Sequence, residues 1–181
     1  MKCLNLSIGK IKYGVMSATK GLFGRYLNRV FIETGSNYGD GIQQALDEGY
    51  SVIYSVELNM SRYQHCCERF KDRPEVHLVW GDTVVFLRAL MPTIMERVTF
   101  WLDAHKSNRK SPLLQELEII GQHAIKDHTL LIDDLRDWKR ERCGFDTSSL
   151  KKRILRINPE YQFVLEDGYV PNDVLVAKVN E

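Results

Sequence analysis

Short apolar runs and amphipathic stretches alternate along most of this chain. The apolar runs are four to six residues long and rich in β-branched and aromatic side chains, which is typical of buried strands. We predict strands at 30–34, 51–56, 76–80, 98–102 and 129–132. Each run is followed by a stretch of helical periodicity, which predicts helices at 40–48, 59–71, 83–91, 111–125 and 148–157. Such βα units favour a parallel sheet.

Helix boundary signals support this order of elements. Asn59 or Ser61 is a candidate N-cap for the second helix, and Ser111 followed by Pro112 is a good start for the fourth. Gly49 and Pro92 are typical residues just past the end of a helix.

The last two apolar runs break the alternation. Residues 161–166 and 174–179 are separated by only seven residues, too few for a crossover helix, so we predict that these strands are antiparallel. The predicted fold is α/β, a Rossmann-like, doubly wound sheet of seven strands that is mostly parallel and ends in an antiparallel hairpin. We expect one domain over 1–181, with a short N-terminal extension at 1–28 and a core at 30–179.

Composition narrows the class of protein. The chain has 181 residues, of which 44% are hydrophobic, enough for one domain with one core. Its net charge of +1 gives no overall attraction to nucleic acid or anionic membranes, although a local basic patch remains compatible with it. No apolar run approaches the roughly 20 residues that span a bilayer. The four cysteines lack the spacing of metal ligands, so we expect a reduced, cytoplasmic protein.

Acidic residues follow the predicted strands at the point where each strand ends. Parallel sheets of this kind bind ligands at the carboxyl ends of their strands, where the chain order reverses. The acids in these positions are Glu33, Glu57, Asp82, Asp103, Asp133 and Asp134.

The ends of the first three predicted strands carry residues that suit a nucleoside. Gly35 lies in a strand–helix loop that ends at Gly39, and it would let the backbone turn tightly and approach a ligand. Glu57 could accept both hydroxyls of a ribose, and Asp82 could accept a hydrogen bond from an adenine amino group. Taken singly, the loop could be an ordinary tight turn, Glu57 a solvated acid and Asp82 a helix N-cap.

Together these features resemble the class I S-adenosylmethionine-dependent methyltransferases. The acidic-x-Gly-x-x-x-Gly loop matches Glu33, Gly35 and Gly39, although Asn37 stands where many members have a glycine. NAD binding fits less well, because the loop is not GxGxxG. The resemblance implies S-adenosylmethionine as cofactor, bound by Glu33, Thr34, Gly35, Ser36, Tyr38, Gly39, Glu57, Leu58, Asp82 and Asp103.

The ends of the fourth and fifth predicted strands bear on the reaction. Asp103, Asp133 and Asp134 would repel one another, so at least one pKa should rise unless a cation is present, and oxygen ligands suit Mg²⁺ or Ca²⁺. In this respect the chain is similar to the macrocin O-methyltransferase group, which implies that these three residues hold a divalent metal. Successive strand residues face opposite sides, so both Asp133 and Asp134 can reach a metal only if the strand ends between them. Otherwise one of them caps the next segment.

We therefore predict O-methylation of a small hydroxylated, sugar-like acceptor, assisted by Mg²⁺. The predicted catalytic residues are Asp103 and His105, and His105 could act as general base or orient Asp103. The basic segments 106–110 and 136–142 could form a rim for an anionic acceptor or be solvated. The alternatives are a metal-independent methyltransferase acting on nitrogen, nucleic acid or protein, and a non-catalytic domain that binds an adenosyl ligand. We expect no membrane or nucleic-acid partner, and either a homo-oligomer or a large partner could complete the acceptor pocket.

Overall fold

Seven strands form a single sheet in the computed structural model, which describes residues 18–104, 111–137 and 145–180. In chain order the strands are β1 Val30–Thr34, β2 Val52–Glu57, β3 Val76–Trp80, β4 Val98–Leu102, β5 Thr129–Ile132, β6 Gln162–Glu166 and β7 Val174–Lys178. Their order across the sheet is β3-β2-β1-β4-β5-β7-β6. The first five are parallel, whereas β7 is antiparallel to both β5 and β6. The predicted α/β fold with its terminal hairpin is confirmed.

The helices follow the strands as the sequence predicts, with small shifts at their ends. They are α1 Asp40–Asp47, α2 Met60–Arg69, α3 Thr83–Leu90, α4 Leu113–Gln122 and α5 Thr147–Ile157, with short 3-10 helices at Phe23–Tyr26, Met91–Thr93 and Leu135–Asp137. The Asn59 side chain accepts the backbone N–H of Arg62 at 3.1 Å, so Asn59 is the N-cap of α2. Helix α4 ends at Gln122, earlier than predicted, because the backbone of His123 is extended.

Alternation along the strands sends apolar side chains to both faces of the sheet. On one face, Phe31 and Trp101 pack with buried residues of α1 and α2. On the other, Ile32 and Phe100 pack with residues of α3, α4 and α5. This two-sided burial is typical of a doubly wound parallel sheet. Within the described ranges, no helix has the length and apolarity needed to cross a membrane.

The chain order reverses between β1 and β4, which are hydrogen-bonded neighbours. From β1 the chain runs outward to β2 and β3, and then returns across the sheet to β4. The helices that follow β1 and β4, α1 and α4, therefore lie on opposite faces of the sheet and leave a crevice between them at its carboxyl edge. The loop after Thr34 meets Asp103 and Ala104 at this crevice.

At the amino edge of the sheet, two histidines form a hydrogen-bonded chain. The backbone N–H of Val98 donates to His128 Nδ1 at 3.2 Å, which leaves the proton of the neutral ring on Nε2. His128 Nε2 then donates to His123 Nδ1 at 2.9 Å, and His123 Nε2 donates to the carbonyl oxygen of Ile94 at 3.1 Å. Both rings are neutral in this arrangement, and an added proton would face an N–H group in either ring.

The buried position of His128 should make stability depend on pH. Burial first, and then the neighbouring His123 and Arg97, lower the pKa of His128 to about 4, against the opposing effect of Asp127. Because the unfolded ring binds a proton more readily, this contribution to the free energy of unfolding is complete above about pH 6.5 and declines as the pH falls toward 4. Between pH 6.5 and 5 the wild type should lose about 1.5 kcal/mol more than His128→Gln in urea titrations.

The control is His77→Gln, which removes an exposed histidine of β3. That variant should keep the pH dependence of the wild type. Equal pH slopes for the wild type and His128→Gln would contradict the assignment of a neutral, buried His128.

Candidate active site

Gly35 is the turning point between β1 and the loop that leads to α1. Its φ is 98°, in the left-handed region that side chains disfavour. A Cβ at this position would lie 2.9 Å from the carbonyl oxygen of Asp103. Glycine is thus required here for both conformation and space, and the backbone of the loop lies directly against the end of β4.

The Glu57 carboxylate organises the same loop from the end of β2. Its Oε2 accepts the backbone N–H of Asn37 at 2.8 Å, and its Oε1 accepts the backbone N–H of Asn59 at 2.7 Å. The residue is only 6% exposed. The sequence predicted Glu57 as a ribose ligand, and the structure shows in addition that it joins the glycine loop to the start of α2.

Glu33 lies beneath the loop. It is 1% exposed, accepts the hydroxyl hydrogen of Ser55, and fills the space in front of Gly41, where a Cβ would collide with its Oε1. Burial, and to a smaller extent the charge of Asp103, raise its pKa to about 8, although the bond from Ser55 lowers it. This position supports the loop from below, and a direct contact between Glu33 and a cofactor stays a prediction.

The other loop residues predicted to bind a cofactor differ in exposure. Thr34, Ser36 and Gly39 are buried, whereas the Tyr38 side chain is partly exposed and packs edge-on against His65. Gly39 has a φ of 88° and leaves no room for a Cβ beside the ring of Phe70.

An apolar surface lies between the ends of β2 and β3. Leu58 is 58% exposed and Trp80 is 54% exposed, and the indole N–H of Trp80 donates to the carbonyl oxygen of Leu58 at 3.1 Å. Asp82 is the N-cap of α3, since its Oδ1 accepts the backbone N–H of Val84 at 2.9 Å. The N-cap alternative is therefore confirmed, and contact of Asp82 with adenine remains a prediction. Trp80 was missed by sequence reasoning, although it directly precedes Gly81 and Asp82.

Asp103, Asp133 and Asp134 converge at the carboxyl edge of β4 and β5. One carboxylate oxygen of each lies within 4.8 Å of the others, and Asp133 is 4% exposed. Burial first, and then the charges of Asp103 and Asp134, raise the pKa of Asp133 to about 8. The cluster thus favours either a proton or a cation, as expected for repelling carboxylates in a poorly solvated place.

The backbone of Asp134 explains how two consecutive residues face the same point. Strand β5 ends at Ile132, and Asp134 has a φ of 58°, so the alternation of strand side chains no longer applies. The Asp133 carboxylate accepts the N–H of Asp134 at 2.8 Å, which stabilises the turn. The strand therefore ends before both residues, and the turn at Asp134 removes the alternation that would have kept their side chains on opposite faces.

Some predicted residues lie outside the described residues. They are His105, the basic segment 106–110 and the residues 138–142 of the second basic segment. Arg136 is described, and its guanidinium forms ion pairs with Asp134, at 2.5 Å, and with Asp173.

Solved structures with the same arrangement of strands and helices have been found, although their sequences differ widely. An O-methyltransferase from Bacillus cereus in complex with SAH (S-adenosylhomocysteine) superposes with a TM-score of 0.54 and 15% identity, over 84% of this chain and 74% of that one. An SAH-bound methyltransferase from Podospora anserina gives 0.57 and 13%, over 84% and 72%. An rRNA methylase from Streptococcus thermophilus gives 0.55 and 11%, over 87% and 92%. The chain has the fold of class I methyltransferases.

This methyltransferase fold is a likeness of structure alone. No protein-family profile matches the sequence, and no curated protein matches it significantly. One of these proteins is an rRNA methylase and another is an O-methyltransferase, so the shared fold alone does not indicate an acceptor. Assignment of an activity therefore depends on the residues at the carboxyl edge.

The effect of the close approach of Gly35 to Asp103 on stability can be measured by comparing alanine substitutions at Gly35 and at Gly49. Gly49 has a similar φ of 99°, but a Cβ there would meet nothing within 4 Å. Gly49→Ala should cost about 1–2 kcal/mol of unfolding free energy for the left-handed backbone alone. Gly35→Ala should cost about 1–3 kcal/mol more, because its Cβ also collides with the Asp103 carbonyl. Urea denaturation of both variants tests this, and equal losses would show that the loop can move away from β4.

Proposed function

We propose that this chain is an S-adenosylmethionine-dependent methyltransferase that methylates a hydroxyl oxygen of a small, sugar-like acceptor with the help of a divalent cation such as Mg²⁺. The observation that carries the proposal is the meeting of the Gly35 loop with the acidic cluster of Asp103, Asp133 and Asp134. Asp103 belongs to both, because its carbonyl oxygen contacts Gly35 and its carboxylate faces the other two acids. A cofactor held by the loop and an acceptor held at the cluster would therefore be adjacent.

The cofactor side of the proposal uses groups with suitable chemistry in a suitable order. Glu57 offers carboxylate lone pairs beyond those used by Asn37 and Asn59 for ribose hydroxyls. Leu58 and Trp80 offer an exposed apolar face of the kind that an adenine ring covers. S-adenosylmethionine supplies the activated methyl group, and these residues only bind and orient.

The acidic cluster fits a divalent cation on the chemistry of its donors. Three carboxylates offer oxygen ligands, as Mg²⁺ and Ca²⁺ prefer, and burial together with the charges of Asp103 and Asp134 raises the pKa of Asp133, which a bound cation would lower again. A cation held by them would lower the pKa of an acceptor hydroxyl that it contacts. The proposed catalytic residues are Asp103, at the junction of the loop and the cluster, and His105, as proton acceptor or as partner of Asp103. The resemblance to the macrocin group rests on the same carboxylates and remains part of the proposal.

Cofactor binding is tested with Glu57→Gln, which keeps the size of the side chain but removes its charge. Charge-assisted hydrogen bonds contribute about 1.5–3 kcal/mol, so the affinity for S-adenosylhomocysteine should fall about tenfold or more in titration calorimetry. The wild type should bind this ligand and not NAD.

The matched control is Glu48→Gln at the end of α1. The Glu48 carboxylate likewise accepts two backbone N–H groups, those of Gly21 and Gly24, but at the other edge of the sheet. Its variant should bind the adenosyl ligand as the wild type does. Absence of binding by the folded wild type would refute the cofactor assignment, and equal effects of the two variants would refute the role of Glu57.

Cation binding at the cluster is tested by comparing the Mn²⁺ affinity of the wild type with that of Asp133→Asn. Electron paramagnetic resonance measures this affinity without any acceptor. Loss of one of three charged ligands should weaken Mn²⁺ binding at least about tenfold. Asparagine can still accept the N–H of Asp134, and it removes a disfavoured buried charge, so the cation-free variant should be no less stable than the wild type.

Asp127→Asn is the control, since Asp127 pairs with Arg97 at the opposite edge of the sheet. It should leave Mn²⁺ binding unchanged. If methyl transfer persists in excess chelator, the proposed role of the cation is wrong and the metal-independent alternative is favoured.

A further inference from the structure

The turn between β6 and β7, residues 167–173, lies against the acidic cluster. A Cβ at Gly168 would be 3.1 Å from the Asp133 Oδ1 and 3.0 Å from the Val174 side chain. The backbone of the turn therefore contacts the most buried carboxylate of the cluster. No larger residue would fit at Gly168 without moving either the turn or Asp133.

The turn is held in place by bonds from several directions. The Asp167 carboxylate accepts the backbone N–H of Asn172 at 2.9 Å, and the Asp167 carbonyl oxygen accepts the hydroxyl hydrogen of Thr19 at 2.8 Å. The Gly168 N–H donates to the carbonyl oxygen of Val170 at 3.1 Å. Residues carried by this turn are thus presented at a defined place beside the cluster.

Arg136 connects the turn to the cluster. Its backbone N–H donates to Asp173 Oδ1 at 2.9 Å, and its guanidinium pairs with both Asp173 and Asp134. Asp173 is 2% exposed, so it is a buried anchor for this arginine. Because two carboxylates already balance the guanidinium, Arg136 is poorly suited to recruit a phosphate or another anion.

Tyr169 is the exposed aromatic residue of this turn. Its side chain is 63% exposed, and the guanidinium carbon of Arg136 lies 5.9 Å from the centre of its ring. It directly follows Gly168, whose backbone touches Asp133. A large exposed aromatic surface next to a polar cluster is typical of a binding site for a flat apolar face.

We propose that Tyr169, positioned by Arg136, is a stacking subsite for a hydroxylated ring whose hydroxyl group points to Asp103, Asp133 and Asp134. The inference rests on the proposed function for the reaction at that hydroxyl, and it adds that the acceptor presents the face of a ring to Tyr169 rather than a charged group to Arg136. Both a catechol-type aromatic ring and a sugar ring have a face that stacks on tyrosine and adjacent hydroxyls at the edge.

The experiment measures binding of two probes, catechol and methyl β-glucopyranoside, by saturation-transfer NMR and calorimetry. Each titration is done with and without S-adenosylhomocysteine and Mg²⁺. Tyr169→Leu should weaken binding of at least one probe about three- to tenfold, the range expected for an aromatic stacking contact. Tyr169→Phe, which keeps the ring, should bind as the wild type does, and this rescue distinguishes stacking from a hydrogen bond of the hydroxyl.

Met95→Ala is the control for loss of exposed apolar surface. Met95 is 84% exposed and precedes β4, at the opposite edge of the sheet. Loss of binding confined to catechol identifies an aromatic acceptor, and loss confined to the glucoside identifies a sugar. If the wild type binds neither probe, or if Tyr169→Leu binds both as the wild type does, the subsite is wrong. Affinity for S-adenosylhomocysteine is measured separately. A wild type that does not bind this ligand contradicts the proposed function, whatever the result for Tyr169.

Discussion

Mutual repulsion among the carboxylates at one edge of the sheet is the constraint on which the organisation of this protein depends. A parallel sheet brings the ends of its strands to the same edge, and here nearly every strand end carries an acid. Burial at that edge makes each negative charge expensive unless hydrogen-bond donors or positive charges surround it. The loops around the crevice supply hydrogen-bond donors and positive charges to several of these carboxylates.

Different acids meet it by different means. Glu57 accepts two backbone N–H groups, and Asp82 accepts one at the start of a helix. Asp134 pairs with Arg136. Burial raises the pKa of Glu33 and of Asp133 to about 8, so each of these carboxyl groups binds a proton or a cation more readily than an exposed acid does. Only Asp133 of these two faces other carboxylates whose oxygens are close enough to share a cation, and for that reason the proposed chemistry centres on it.

The opposite edge of the sheet contains ion pairs, such as that of Arg97 with Asp127, and two buried or half-buried histidines. There, His123 and His128 are hydrogen-bonded to each other and to backbone groups at either end of the pair, and both rings are neutral. These hydrogen bonds connect the segment before β4 to the segment before β5.

The sequence by itself determined the order and type of the elements and the acids at the strand ends. Both depend on local patterns, because strand and helix periodicity and capping residues act over a few neighbours along the chain. The same patterns placed Asp103, Asp133 and Asp134 at adjacent strand ends once the parallel order was inferred.

Only the tertiary structure decided how those side chains are oriented and which partners they have. The left-handed backbone of Asp134 turns two consecutive acids toward one point, and no periodic pattern predicts that conformation for an aspartate. The contacts of Arg136 with Asp173, and of Gly168 with Asp133, join residues more than 30 positions apart. Such contacts follow from how the terminal hairpin packs beside β5, which depends on the whole sheet rather than on any local segment.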